Sequence, residues 1–503
     1  MAAAIPLGIQ YLLDAGIFQS TKEDDEIFPI DAPESANDSN AADDAGDEKV
    51  GDIPDNDLHF APGLAPSLGV AGSLGPSAPT RSSLVKSALV PKTQPSIFWK
   101  AVGITLKTVF SGDGDLSESG SAIFYASPNQ AGILSGPSYP LEVTNYQMYL
   151  YCDAMQRVGF PTFRVSGDSY FEFVNLYLKY VAEKEASADV TRARQDLVDA
   201  KLAKDHAWEA RRKSFPHHVA ESGDLAQHSL VDYIKQDKAY KEAWNAEETA
   251  ETEFARARGS QLSSASAQLQ VVRLADSRLE PQAGNNMPVI AVDQDWVEVR
   301  KANPDTDKEK FFDPNLKFYR PLYSIPKYAL EVSYWIQGAA ISPTDDENGT
   351  YSVPLAGVWD RSWSELGHPA LDKAAPYVPL TPEMKNFFNS LEVNLRFIKR
   401  TFAGDVARGM WDVPDLRDKF ELQSSAPQSI REPVCKTSRL FFAWGLEMEV
   451  IFPEVLPDAA IKNMSISALG MPLKRVSGKN DRLVFTSSNA GYPVLVGGLA
   501  DVV

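Results

Sequence analysis

The chain has 503 residues, 44% of them hydrophobic, with 34 prolines, 31 glycines and a formal charge of −19, a composition suited to two or three domains at about 100–200 residues each. No window holds the ~18 continuous apolar residues of a membrane span, and the start at Met1 lacks the basic region of a secretory signal. Two cysteines, Cys152 and Cys435, are too few for a disulfide scaffold, so the expected location is the cytoplasm or an intracellular particle.

Residues 1–18 make a candidate amphipathic helix, with Ile9, Leu12, Leu13 and Ile17 on one side, suited to docking on a neighbour. From Thr21 to Asp57 there are 14 Asp/Glu against two lysines, a net −12 that leaves −7 for the other residues. The acidity therefore belongs to one tract, and this arm is not expected to bind nucleic acid through charge. A Pro/Gly/Ser/Ala-rich stretch follows to Pro95, and residues 1–95 are expected to form a disordered arm because they cannot bury enough apolar surface to offset chain entropy.

Order is expected from Ser96. Over 96–168 one helix is predicted from Ile97 to Val109, and a second from an N-cap at Thr144 to Gly159, with Cys152 on its buried face. Over 169–260 two long charged helices are predicted, broken at Pro216. The first runs from Ser169 to about Ser214, with a coiled-coil-like seam of Ala186, Val190, Ala193, Leu197 and Ala200. The second runs from about Asp224 to Arg258, with Tyr233, Tyr240, Ala243, Ala250 and Phe254 on one stripe. They predict an antiparallel helical hairpin projecting from the body. Its seam residues Ala186, Val190, Ala193, Leu197, Tyr240 and Phe254 are the candidates for self-association.

The remainder, 261–503, reads as β-rich. Strands are predicted at 269–274, 289–292, 296–299, 329–336, 351–355, 440–452, 483–485 and 494–496. One helix is predicted over 381–403, with Thr381 as cap, Pro382 in the first turn, a stripe through Met384, Phe388, Leu391, Leu395, Ile398 and Phe402, and Gly404 as stop. The fold class is thus α+β: a mixed helical and β-rich body, a helical-hairpin insertion and a disordered N-terminal arm.

Motifs that carry chemistry are scarce. There is no G-x-x-x-x-G-K-[ST], no G-x-G-x-x-G after a strand, no H-E-x-x-H and no G-x-S-x-G. Gly167-Asp-Ser-Tyr170 resembles the start of a GDSL-type hydrolase motif, but the D-x-x-H partner is missing, and Ser169 followed by Glu172 makes a capping box. Asp113-Gly-Asp115-Leu-Ser117 has a calcium loop's alternating oxygens, yet Glu118 stands where that loop requires glycine. Four of six histidines, His206, His217, His218 and His228, fall near the hairpin tip. His217 and His218 with Glu221 and Asp224 are the only metal candidates, at a spacing better suited to a hydrated turn. Trp335, Trp359, Trp363, Trp411 and Trp444 are read as core.

No cofactor is expected, and enzymatic activity is not favoured. The predicted role is a non-enzymatic, self-associating subunit of a shell, coat or capsid-like particle whose partner is a copy of itself. Two alternatives are an enzyme with a site assembled from distant residues and a membrane-active hairpin with a histidine trigger.

Overall fold

The computed structural model describes residues 19–20, 97–111, 122–126, 133, 135, 139–156, 163, 168–181, 188–222, 229–259, 263–291, 314–336, 349–358, 381–397, 401–443, 445–457, 461, 466–468, 471–474, 481–486 and 493–503. Helices and antiparallel sheets alternate along them, a mixed α+β architecture. The helices are α1 (Ile97–Ser111), α2 (Leu141–Asp153), α3 (Tyr170–Lys179), α4 (Ala188–Ser222), α5 (Leu230–Gln236), α6 (Lys238–Arg258), α7 (Ser263–Ala275), α8 (Tyr328–Ile336) and α9 (Pro382–Ser390), followed by single turns α10 (Leu416–Lys419) and α11 (Gln428–Arg431).

The larger sheet has seven strands in the order β1-β12-β13-β14-β11-β7-β6, where β1 is Gln19–Ser20, β6 Thr350–Ser352, β7 Glu392–Phe397, β11 Leu446–Ile451, β12 Ile466–Ala468, β13 Met471–Lys474 and β14 Arg482–Thr486. The smaller has the order β2-β15-β10-β8, with β2 Ala122–Ala126, β8 Thr401–Asp405, β10 Cys435–Ala443 and β15 Val494–Val502. Two ribbons complete the set, β3 (Asn286–Ile290) with β4 (Lys317–Pro321) and β5 (Tyr323–Ser324) with β9 (Ala407–Arg408).

The small sheet is the middle layer. Phe124, Phe441, Val494 and Val496 on one face join Val393, Leu395, Met448, Val450 and Phe485 of the large sheet in one core. Tyr125, Leu440, Phe442 and Leu495 on the other face join the core of helices α2–α7. Burial on both faces explains why β10 and β15 read as apolar runs rather than alternations. Phe110 of α1 ties the two sheets, with ring centroids 4.5 Å from Phe441 and 6.2 Å from Phe397.

Several expected elements take another form. The run 440–452 is two strands, because Gly445 at φ 72° turns the chain between β10 and β11 and sends them to different sheets. The helix expected over 381–403 ends at Ser390. Thr381 does cap it, accepting from the Met384 N–H at 3.3 Å, but Leu391 is extended and β7 follows with Val393, Leu395 and Phe397 buried at period two. Gly404 lies inside β8 against Ile325, where there is no room for a Cβ, and stops no helix. Residues 269–274 lie in helix α7, whose buried Ala265, Leu269, Val272 and Ala275 step by four and three. Residues 329–336 lie in α8, anchored by Tyr328 and Val332. Within α2, Thr144 is a buried interior residue rather than the cap, and the helix ends at Asp153 before the extended Ala154.

The expected Ser169–Ser214 helix is two helices. Val181 bridges to Leu422, and α3 ends at Lys179 with its last carbonyls taken by arginines: Arg194 Nε donates to Lys179 O and Arg258 Nη2 to Leu178 O, both at 2.8 Å. Pro216 does not end α4, which continues to Ser222. Asp237 splits the second expected helix into α5 and α6 by accepting from the Tyr240 N–H at 2.8 Å. Gly259, at φ 70°, closes α6.

Helices α4 and α6 run antiparallel. The cross-pairs in order are Arg194 over Phe254, Lys204 with Glu247, Trp208 with Tyr240 and Arg211 with Asp237. The pair does not project free of the body. Trp208 is fully buried 5.5 Å from the Phe318 ring of β4, and the inner faces of both helices belong to the main core. Of the expected arm, Gln19 and Ser20 are placed as β1, and residues 1–18 and 21–95, including Ile9, Leu12, Leu13 and Ile17, lie outside the described residues.

Candidate functional site

The densest concentration of ionisable groups lies where α3, α4, α6 and α7 meet. Helix α4 carries its buried stripe through Val190, Arg194, Leu197, Lys201, Lys204, Trp208 and Phe215, steps of three, four and seven, so two lysines face inward between apolar neighbours. Lys201 Nζ lies 2.8 Å from Asp276 Oδ2, 3.3 Å from Glu172 Oε1 and 3.8 Å from Asp205 Oδ2. Lys204 Nζ lies 2.6 Å from Glu247 Oε2 and 3.1 Å from Asp276 Oδ2. Arg278 Nη2 reaches Asp205 Oδ1 at 2.7 Å and Asp276 Oδ1 at 3.7 Å. With Lys179 alongside, four acids face four bases, and the cluster is internally neutral.

Burial sets the electrostatics. It raises the carboxyl of Glu172 despite Lys201 beside it, and it depresses the amine of Lys179 to about 8, helped by repulsion from Lys201. Burial also opposes the charge of Asp276, but Lys201, Lys204 and Arg278 outweigh it and hold the carboxyl well below its usual range. The Asp205 and Asp276 carboxylates likewise outweigh burial and hold Lys201 and Arg278 charged. At the rim, Arg273 Nη1 contacts Glu251 at 2.8 Å.

A second buried cluster joins α2, α3, β5 and β9. Asp153 accepts from Tyr323 OH at 2.6 Å and from the Phe171 N–H at 2.8 Å, and burial raises its carboxyl. Tyr170 OH donates to Asp412 at 3.0 Å, and the Arg408 guanidinium lies 5.2 Å from the Tyr170 ring centroid while donating to Thr437 O. Both clusters satisfy charge within the fold and lock helices to one another.

The sequence candidates fall elsewhere. Val190, Leu197, Tyr240 and Phe254 are buried and Ala193 is half-buried, so the seam expected to bind a second copy is packed within the chain. Ala186 lies outside the described residues. His217 is exposed. His218 stacks on Tyr233 with centroids 4.5 Å apart, which places its ring in a packing role. The Glu221 side chain, Asp224 and His228 lie outside the described residues, and no group of three metal-ligating side chains occurs among the described residues. The 113–117 loop, Trp359, Trp363 and Trp444 are also outside them, whereas Trp411 is core.

Ser169 caps α3 as read, accepting from the Glu172 N–H at 3.1 Å, while the Glu172 carboxylate turns to Lys201. Cys152 and Cys435 are buried free thiols, pushed up by burial to about 12 and about 11. Along the outer side of the α4–α6 pair, Asp196, Ala200, Asn245, Ala246, Thr249, Ala250 and Glu253 line an open groove of about 490 Å³. Lys201, Lys204, Asp205 and Glu247 are hard to pick out from the sequence because charge on a long helix reads as solvent cover, and Asp276 and Arg278 carry no local pattern that marks them. For the α4 residues the signal is their register with Leu197 and Trp208. No family model, curated protein or solved structure matches the chain.

Proposed function

We propose that the chain is a non-enzymatic, self-associating subunit of a shell, coat or capsid-like particle. The observation that supports this most is the pairing of β1 with β12, in which Gln19 and Ser20 meet Ser467 and Ile466 and complete the outer edge of the larger sheet. Strand addition from a distant part of the chain is a way of joining surfaces, since it relies on backbone hydrogen bonds that any exposed edge offers. The two polar clusters fit the same role, because their groups brace helices into a rigid body.

The α4–α6 pair is read as the helical hairpin of this subunit, with its groove and the exposed Leu330 and Tyr334, one turn apart on α8, as surfaces open to neighbours. A membrane-active hairpin fits less well. The apolar residues of α4 and α6 are buried against each other, and among the described residues no helix is long and apolar enough to cross a membrane. Sedimentation velocity with negative-stain microscopy of the full chain tests the proposal. Symmetric particles are expected, and a strict monomer at high concentration overturns it.

A further inference from the structure

We infer that Arg320, Arg278 and Trp208 form a buried site for one small oxyanion of single charge, a carboxylate or singly ionised phosphate group, where β4, α2 and α4 meet. Arg320 lies in β4 opposite Met287 of β3 and is 3% exposed. Its guanidinium rests on two aromatic rings, 5.2 Å from the Tyr149 centroid and 5.3 Å from that of Phe318. No ion pair or side-chain hydrogen bond of Arg320 occurs among the described residues, and its Nε is buried without a partner. Two aromatic faces offset only part of the cost of burying a cation.

Further donors lie beside it. The Tyr319 N–H donates to Arg278 O at 3.0 Å, which brings Arg278 next to β4. The Arg278 guanidinium is 5.2 Å from the Trp208 centroid, and the Trp208 ring is 5.5 Å from Phe318, on which Arg320 rests. The Tyr149 hydroxyl is within electrostatic reach of both guanidiniums. Arg278 turns Nη2 to Asp205 and Asp276, but its Nε and Nη1, like Trp208 Nε1, are buried without a hydrogen-bond partner. Buried donors of this kind call for an acceptor.

Charge decides which acceptor. The four acids and four bases of the cluster at α3, α4, α6 and α7 cancel, and Arg320 is one cation more. Asp153, which the Tyr149 hydroxyl also meets, is taken up by Tyr323 and the Phe171 N–H, and burial raises its carboxyl. Water would accept from the donors but bring no charge, whereas a dianion would leave the opposite excess. A singly charged oxyanion meets both needs, and its oxygens match the planar fork of a guanidinium. This site does not depend on the self-assembly reading.

The test is isothermal titration of the full chain with inorganic phosphate, below its second ionisation, and separately with acetate. Ionic strength is held by a bulky sulfonate salt, and thermal unfolding is followed in the same solutions. Saturable binding of at least one probe, one per chain, is expected, with a midpoint that rises as the probe is added. The arm that binds identifies the group. Arg320→Met keeps the bulk and removes the charge. It is expected to be at least as stable as the parent without probe, because no unpaired cation is then buried, and to lose both the binding and the rise. Trp208→Phe keeps a ring and removes Nε1, and is expected to bind roughly tenfold more weakly. It carries the test if Arg320→Met does not fold. The site is overturned if neither probe binds the parent saturably, if Arg320→Met binds undiminished, or, where that variant does not fold, if Trp208→Phe does.

Discussion

Asp276 meets three cations, Lys201 at 2.8 Å, Lys204 at 3.1 Å and Arg278 at 3.7 Å, and its carboxylate balances the centre of the cluster. Asp276→Asn keeps the shape and removes the charge, leaving buried cations in excess. Breaking a buried ion network in this way typically costs about 3–5 kcal/mol. A loss of that size in urea unfolding is expected for Asp276→Asn, with much of it regained in Asp276→Asn/Lys204→Met, where the excess charge is also removed. Lys179 works in the opposite sense. Its amine is depressed to about 8 from 10.5, so between those pH values the unfolded chain binds more protons and Lys179 contributes stability that rises with pH. Cys152 and Cys435, raised by burial, lose stability above the ordinary thiol range and mask part of this slope. The informative measurement is therefore the difference between the parent and Lys179→Met from pH 7.5 to 9.5. The variant is expected to gain most at the lower pH and least at the higher.

At the scale of elements, the two sheets are coupled by chain turns as well as by packing. The turn at Gly445 carries β10 into β11 and hence from the small sheet to the large one. A side chain there meets the left-handed penalty of roughly 1–2 kcal/mol. Gly445→Ala is expected to lower the unfolding free energy read from urea titration by about that amount, and Gly445→Asn by less, since asparagine tolerates positive φ better. Helix α3 shows how elements borrow from one another: its final carbonyls are satisfied by Arg194 of α4 and Arg258 of α6, so α3 ends properly only when the long helices are docked.

For the whole molecule, the helix pair is packed into the body by apolar and charged contacts alike. Trp208 packs on Phe318, Asp205 pairs with Arg278, Lys201 pairs with Glu172, and Arg258 caps α3. Replacing residues 188–258 by a short linker would strip the main core of Trp208, Phe215, Tyr240 and Phe254 and leave Asp276 and Arg278 without their partners. The expected outcome is loss of the cooperative calorimetric transition of the whole chain. A remainder that still melts cooperatively near the parent temperature would mean that the pair is a separable insertion.

The amino-acid sequence by itself determined the α+β class, the concentration of acid between Thr21 and Asp57, the caps at Ser169 and Thr381, and the core identity of Cys152. Each follows from composition or from contacts within a few residues. It also marked the two long charged helices, whose three-and-four periodicity is a local property. Tertiary structure decided the rest. Leu391-Glu-Val-Asn-Leu395 fits helical and strand spacing alike, and only the place waiting beside β11 makes it a strand. The charged residues of α4 and α6 read as solvent cover until α3 and α7 supply opposite charges in a buried setting, because a lone buried lysine is too costly to infer without its partners. The pairing of Gln19 and Ser20 with β12 spans more than four hundred residues, and no local pattern announces it.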